Sequence, residues 1–227
     1  MKKVLFIILM VLGCFTLMLK TKTFAAGITS IVNTPHNLNT TDYGIVVQNG
    51  EVCRPCHTAH FADKLTPNYR LWNHNVDITK SYTLYGTSSG YVGLDTASRL
   101  CLSCHDGSIA VDAYGSSNGP SGSVGAGSHF MEPDNQIGAG GDLKKDHPVG
   151  VLYAGWDGTA YAVGGRLVDP STWTGTTKPS LKKTSVTGQY IVGCTTCHSA
   201  HNSAAAYGKF LRVDNTGSAL CLMCHAK

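Results

Sequence analysis

Four copies of one short pattern, Cys-x-x-Cys-His, constrain this chain of 227 residues more than any other feature. They occupy positions 53–57, 101–105, 194–198 and 221–225. The chain has nine cysteines. Only Cys14, in an apolar N-terminal stretch, lies outside the pattern, and the others are Cys53, Cys56, Cys101, Cys104, Cys194, Cys197, Cys221 and Cys224.

This pattern is the attachment signature of a c-type haem. The two thiols that add to the vinyl groups of one porphyrin must lie about one helical turn apart, and the next histidine can then bind the iron. A zinc site would join two Cys-x-x-Cys pairs around one metal, and disulfides would use cysteines alone, so neither explains the histidine. The sequence predicts four covalently attached haems c (heme c) with the proximal iron ligands His57, His105, His198 and His225.

Six further histidines are candidates for the opposite, distal face of each iron. His60 and His201 each lie three residues after a proximal histidine, in CHTAH and CHSAH. Residues three apart on a helical turn project to neighbouring sides, so we expect His60 to bind the second haem and His201 the fourth. His36 is our candidate for the first haem and His147 for the third. The competing candidates are His74 and His129.

An internal repeat divides the chain into two haem pairs, at 53–105 and 194–225, separated by an insert at 106–193. Each pair opens with CxxCHxAH and closes with LCLxCH. The glycine- and serine-rich part from Tyr114 to Gly141 predicts irregular loop. Residues 149–192 predict one or two small β-hairpins, with strand candidates Val163, Leu167, Tyr190, Ile191 and Val192. With so little protein per haem, we expect sparse secondary structure, mostly coil with short helices, and a haem stack as the core.

The N-terminus has the pattern of a secretory signal peptide at residues 1–25. Lys2 and Lys3 precede an apolar stretch, and Ala25 and Ala26 are small enough for cleavage. The alternatives are an uncleaved anchor and lipidation at Cys14. We expect residues 26–227 to form a single tetrahaem domain, exported through the periplasm and secreted to the extracellular surface.

Charge gives no case for nucleic acid as a partner. The chain has 18 basic and 14 acidic residues. Removing the signal peptide removes four of the basic residues (18 − 4 = 14) and no acidic residue, so the mature chain has no net charge. Nucleic-acid binding depends on clustered positive charge.

Two histidines on each iron leave no open coordination position for a substrate. The sequence therefore predicts an electron-transfer protein, not an enzyme, and offers no catalytic residue. One alternative is a monomeric carrier in the periplasm or at the outer membrane. Another is a terminal reductase with one five-coordinate haem.

Segments along nearly the whole mature chain resemble multihaem c-type cytochromes of metal-reducing bacteria. They are TPHNLN, VCRPCHTAH, LWNHN, LCLSCHDGSIAV, GGDLKKDHPVGV, GCTTCHSAH and ALCLMCH. The chain is most similar to the tetrahaem outer-surface cytochromes of the OmcE type, which polymerise into extracellular filaments, or nanowires. This resemblance implies bis-histidine haems in a continuous stack and head-to-tail self-assembly. It also implies electron exchange with other cytochromes, metal oxides or electrodes, and one axial histidine from a neighbouring subunit, with His36 as the first candidate and His129 as the second.

Overall fold

The structure is a computed structural model that describes residues 31–39, 50–59, 62, 71–85, 92–115, 128–153, 167–175, 177–183, 189–201 and 208–226. Several predictions concern residues outside these ranges: the signal peptide, His60, Val163 and the loop stretch 116–127. Within these ranges no helix is both long and apolar enough to cross a membrane.

Three short α-helices each carry one of the haem-attachment motifs. Helix α1, Thr96–His105, contains the second motif, α2, Cys194–Cys197, begins the third, and α3, Ala219–Cys224, ends in the fourth. The first motif forms a turn, in which the N–H of His57 donates to the carbonyl of Cys53 at 2.9 Å. This is the bond of one helical turn, so the first motif has the spacing that thiol attachment requires.

Helix α1 is the longest element because both its cap and its inner face favour it. The Asp95 side chain accepts a hydrogen bond from the N–H of Ser98, an N-cap that stabilises a helix by about 1 kcal/mol. Leu102 lies on the buried face and is 1% exposed. A Cβ at Gly138 would come within 2.8 Å of the Leu143 side chain and 3.5 Å of Leu102. The close packing under α1 therefore leaves no room for a side chain at position 138.

The insert contains a small antiparallel sheet of three strands, in the order β1-β3-β2. The strands are β1 Val151–Leu152, β2 Lys182–Lys183 and β3 Tyr190–Val192. In β3, Ile191 is buried and lies opposite both Leu152 and Lys182. The predicted hairpin is present as β2–β3, with β1 added on the far side of β3. Leu167 lies in no strand and makes an isolated bridge with His225.

Irregular backbone separates these elements, as the glycine-rich sequence predicts. Between Tyr114 and Gly141 the described residues contain two short 3-10 turns, Pro133–Asn135 and Ala139–Gly141. The sparse helices and the small sheet fit a mostly coil cytochrome. The buried apolar residues of the described ranges are Leu102, Ala110, Val111, Ala113, Tyr114, Leu143, Tyr153, Ile191 and Leu220.

Candidate haem site

The first motif is held by a backbone clamp from the segment around Leu71. The N–H of Thr58 donates to the carbonyl of Leu71, and the N–H of Asn73 donates to the carbonyl of Cys56, both at 2.9 Å. The Asn73 side chain also donates to the carbonyl of Arg54 at 2.6 Å. The clamp therefore grips the motif on both sides of its histidine.

The third motif has the same clamp, made by the segment around Phe210. The N–H of Ser199 donates to the carbonyl of Phe210, and the N–H of Arg212 donates to the carbonyl of Cys197, both at 2.8 Å. The Arg212 side chain donates to the carbonyl of Thr195 at 2.9 Å. Each hydrogen bond has its counterpart at the first motif, so the internal repeat extends to the segments that hold the motifs.

Leu71 and Phe210 occupy equivalent positions in the two clamps, and both have a φ of 58°. This left-handed conformation costs an ordinary residue about 1–2 kcal/mol. Sequence comparison missed the clamps because RLWN and KFLR have little in common. The only signal in the sequence is their location between the two motifs of each pair.

Three pairs of histidine rings lie at nearly the same separation. Ring centroids are 6.0 Å apart for His57 and His201, and 6.2 Å apart for His36 and His105. The third pair, His147 and His225, is separated by 6.3 Å. Each pair joins one motif histidine to one histidine from outside the Cys-x-x-Cys-His pattern.

That separation fits two imidazoles on opposite sides of one metal ion. Metal–nitrogen bonds are about 2 Å long, so two such rings have centroids roughly 6 Å apart. Ordinary ring contacts cover the same range of separations, about 4.5–7 Å, and the ring planes of His36–His105 and His147–His225 meet at 63° and 68°. What favours a shared metal is that each pair joins a motif histidine to one from outside the motifs. The described residues contain no cluster of three or more His, Cys, Asp or Glu side chains that could hold a metal ion. The imidazoles are instead arranged two by two.

Two ring nitrogens are hydrogen-bonded in the way that metal-binding histidines usually are. Nδ1 of His198 lies 2.8 Å from the carbonyl oxygen of Lys209, and Nδ1 of His147 lies 3.1 Å from that of Pro148. A proton on Nδ1 that donates to a carbonyl leaves the lone pair on Nε2 free for a metal. Among the described residues His198 has no histidine opposite it at the spacing of the three pairs.

The structure pairs the histidines differently from the sequence-based assignment. His36 lies opposite the second motif, not the first, and His201 lies opposite the first, not the fourth. His147 lies opposite the fourth motif, not the third. The assignment assumed that His198 and His201 share a helical turn, but α2 ends at Cys197 and His198 is extended. As iron ligands, these distal histidines stay predictions.

The two competing candidates lie away from the motif histidines. His74 is 2% exposed, and its ring nitrogens face the carbonyl oxygens of Asn75 at 2.7 Å and Ala110 at 3.0 Å. Its Nε2 is also 3.4 Å from Sγ of Cys104. Nδ1 of His129 lies 2.8 Å from a carboxylate oxygen of Asp112. Neither ring is opposed to a motif histidine in the part of the chain that the structure describes.

The thiols suit attachment through neutral thioethers. Burial, with a smaller effect of Cys53, raises the pKa of Cys56 to about 11. Burial, followed by the nearby Cys56, raises the pKa of Cys104 to about 12. Burial of these two sulfurs favours the uncharged state, which is also the state of a thioether. The cysteines and the paired imidazoles therefore fit haem c.

Consecutive motifs are neighbours in space. A hydrogen bond from Cys101 to the sulfur of Cys194 raises the pKa of Cys101 and lowers that of Cys194 to about 7. This contact joins the second motif to the third. Electrostatic contacts between thiols join the first motif to the second and the third to the fourth, at Cys56–Cys104 and Cys197–Cys224. The four attachment points follow one another in chain order.

Residues 187–227, which contain the third and fourth motifs, match a family model described as the doubled CXXCH motif. No curated protein matches the chain. The match is consistent with a multihaem c-type cytochrome. The Cys-x-x-Cys-His motifs indicate covalently bound c-type haem, and the doubled motif indicates haem-dependent electron transfer.

Proposed function

We propose that this protein conducts electrons through four c-type haems, each held between two histidines, as a head-to-tail filament outside the cell. The observation that carries the proposal is the recurrence of one ring separation, 6.0 to 6.3 Å, in three histidine pairs. Haem iron supplies one-electron exchange between its ferrous and ferric states. Two histidines on each iron would leave no coordination position for a substrate, which supports electron transfer over catalysis.

The fourth distal ligand follows from reciprocity between the first and third motifs. His201, three residues after His198, lies opposite His57. His60 holds the same sequence position after His57. The sequence equivalence alone therefore leads us to propose His60, which lies outside the described residues, as the distal ligand at His198.

The first and fourth motifs are the two ends of the series of four motifs, and each has an exposed cysteine, which supports self-association. Cys101 and Cys194 contact each other at the centre of the series, and their counterparts in the repeat are Cys221 and Cys53. Those two cysteines are exposed. A second copy that places its Cys53 turn against α3 would continue the series, and a contact of this kind that does not close on itself produces a filament.

The sequence around this end supports the same contact. The four residues that begin six positions before the second motif are Asp-Thr-Ala-Ser at 95–98, and those at the same positions before the fourth motif are Asn-Thr-Gly-Ser at 215–218. Ser98 contacts the third motif, whereas Ser218 is exposed. We propose that Ser218 faces the first motif of the next copy. Val52 stands where the third motif has Gly193, which makes the contact between copies wider than the one within the chain.

Cryo-electron microscopy of the secreted native protein tests the proposal, together with carbon monoxide binding to the reduced form. Filaments and no carbon monoxide adduct are expected. Compact particles would identify a monomeric carrier, and a carbon monoxide adduct of the wild-type protein would contradict four bis-histidine haems.

A pair of matched variants tests the assembly surface. Ser218→Lys and Ser171→Lys each add one charge at an exposed serine in a 3-10 turn. We expect haem-loaded single particles from Ser218→Lys and filaments from Ser171→Lys. Filaments from both variants would show that the surface near α3 is not the contact.

A further inference from the structure

The third motif is the only one of the four that follows a glycine. The residues before the first cysteines are Val52, Leu100, Gly193 and Leu220. Gly193 has φ −139° and ψ 178°, an extended conformation that any residue adopts. The backbone therefore does not require glycine here, and the reason must lie in what surrounds the residue.

Gly193 is buried against the first turn of α1. A Cβ at this position would lie 2.4 Å from Oδ1 of Asp95 and 2.7 Å from Oγ of Ser98. Both distances are shorter than carbon and oxygen atoms tolerate. A side chain at position 193 would have to displace the Asp95 and Ser98 side chains, which breaks their hydrogen bonds, or move α2 away from α1.

Ser98 is the polar counterpart of this glycine. It is fully buried, and its hydroxyl donates to Asp95 Oδ1. Its Oγ accepts a hydrogen bond from the N–H of Cys194 at 3.0 Å. The first residue of α2 is therefore tied directly to the capping turn of α1.

This junction lies where the two haem pairs meet. It brings together Cys101 and Cys194, the first cysteines of the second and third motifs, which are hydrogen-bonded to each other. Electron passage between redox groups weakens steeply with their separation. Whatever holds α1 and α2 together therefore controls the step from one half of the chain to the other.

We propose that Gly193 and Ser98 are positioning residues that set the spacing between the second and third haem-attachment points. The inference rests on the proposed electron-transfer function and assigns the control of one step to two residues that hold no haem. Gly193 permits the close approach of α2 to α1, and the hydrogen bond from the N–H of Cys194 to Ser98 holds the two helices at that distance.

Gly193→Ala and Ser98→Ala test this in the haem-loaded full chain, with Ser108→Ala as control. The Ser108 hydroxyl also donates to an aspartate, Asp106, at 2.7 Å, but Ser108 lies outside the motifs, beyond the other end of α1. Haem content is measured first by the pyridine haemochrome method. The thermal midpoint and the circular dichroism of the Soret band, whose coupled signal reports the relative placement of neighbouring haems, follow.

We expect all three variants to keep the wild-type haem content and to melt at lower temperature. Gly193→Ala and Ser98→Ala should lose coupled Soret signal and slow the redistribution of electrons after flash photoreduction. Ser108→Ala should leave both readouts as in the wild type.

Wild-type coupled signal and electron redistribution in Ser98→Ala would overturn the inference. So would equal changes in Ser108→Ala, because these would reduce the effect to general destabilisation. Ser98→Ala introduces no clash and so keeps the test decisive if Gly193→Ala does not fold. A wild-type protein without low-spin haems would instead contradict the proposed function and would be evident before any variant is compared.

Discussion

His57 belongs to the first motif and His201 follows the third motif by three residues, yet their ring centroids lie 6.0 Å apart in the folded chain. The internal repeat would suggest two independent halves. This pair connects the halves, because the histidine that follows the third motif lies beside the first. A fragment with only one haem pair would lack half of this arrangement.

Replacing His201 by alanine tests this relationship. If His201 is the distal ligand at the first motif, His201→Ala leaves that iron with one histidine and an open position. The oxidised protein should then show a high-spin component in its electron paramagnetic resonance spectrum, and the reduced protein should bind carbon monoxide.

His129→Ala is the control for this variant. His129 is bonded to Asp112 and has no motif histidine opposite it. Its replacement should leave the spectrum low-spin and create no carbon monoxide adduct. An unchanged spectrum in His201→Ala, or an adduct in His129→Ala, would contradict the pairing.

Local chemistry explains which parts of the site the sequence could predict. Attachment requires two cysteines and a histidine within one turn, so the motifs are visible in the chain itself. The pairing of His57 with His201 depends on where α2 stops and on the bridge between His198 and Leu211. These are long-range contacts, and the spacing of residues within CHSAH does not encode them.

The fold was also predictable in part: its local elements could be read from the sequence, and its long-range contacts could not. Turn-rich composition indicated coil, and the run Tyr190–Val192 indicated the central strand of the sheet. The clamps were not predictable, because two of the three hydrogen bonds in each join backbone atoms and because Leu71 and Phe210 are unusual residues for a left-handed conformation. Only the folded chain shows that these two positions are equivalent.

Glycine substitutions in the clamps should have opposite effects on stability. Leu71 is 53% exposed, so Leu71→Gly loses little buried surface and relieves a conformation that costs about 1–2 kcal/mol. Ordering glycine on folding costs more chain entropy than ordering leucine, which offsets part of this relief. We therefore expect the free energy of unfolding to rise by about 0.5–1 kcal/mol. Phe210→Gly gains the same relief, but it loses the stacking of Phe210 on His36, whose planes are 16° apart, worth about 1 kcal/mol. It also loses the burial of a half-buried ring, worth roughly 1–2 kcal/mol, so the substitution should lower the free energy of unfolding. Equilibrium denaturation measures both, and destabilisation by Leu71→Gly would contradict the strain argument.

Asp112 should give the protein an acid-sensitive contribution to stability. Burial alone would raise the pKa of this carboxyl, but hydrogen bonds from His129 and from the N–H groups of Ser128 and His129 hold it below its usual range. A depressed pKa contributes stability that is present above the unfolded value near 4 and is lost as pH falls through the folded value. Asp112→Asn should therefore cost about 1.5–3 kcal/mol at neutral pH, and the difference from wild type should shrink in acid.

Thermal melting from neutral to acidic pH measures this difference. Asp142→Asn is the matched control, because Asp142 is more exposed and lies 3.7 Å from its cationic partner Lys144. The control should change stability by no more than about 0.5 kcal/mol. A constant gap between Asp112→Asn and wild type at every pH would show that the carboxylate charge is not the source.

Gly138 should be far less tolerant of substitution than Gly175, although both have positive φ, 70° and 87°. Alanine at either position meets the left-handed penalty of about 1–2 kcal/mol. At position 138 the new Cβ would also lie 2.8 Å from Leu143, whereas nothing lies within 4 Å at position 175. Overpacking adds about 1–3 kcal/mol. In denaturant titrations, the loss in free energy of unfolding should therefore be larger for Gly138→Ala than for Gly175→Ala by about that amount. Equal losses in the two variants would mean that the side chains under α1 can move to accommodate an extra methyl group. The packing of Leu102 and Leu143 would then be too loose to hold the second motif in place.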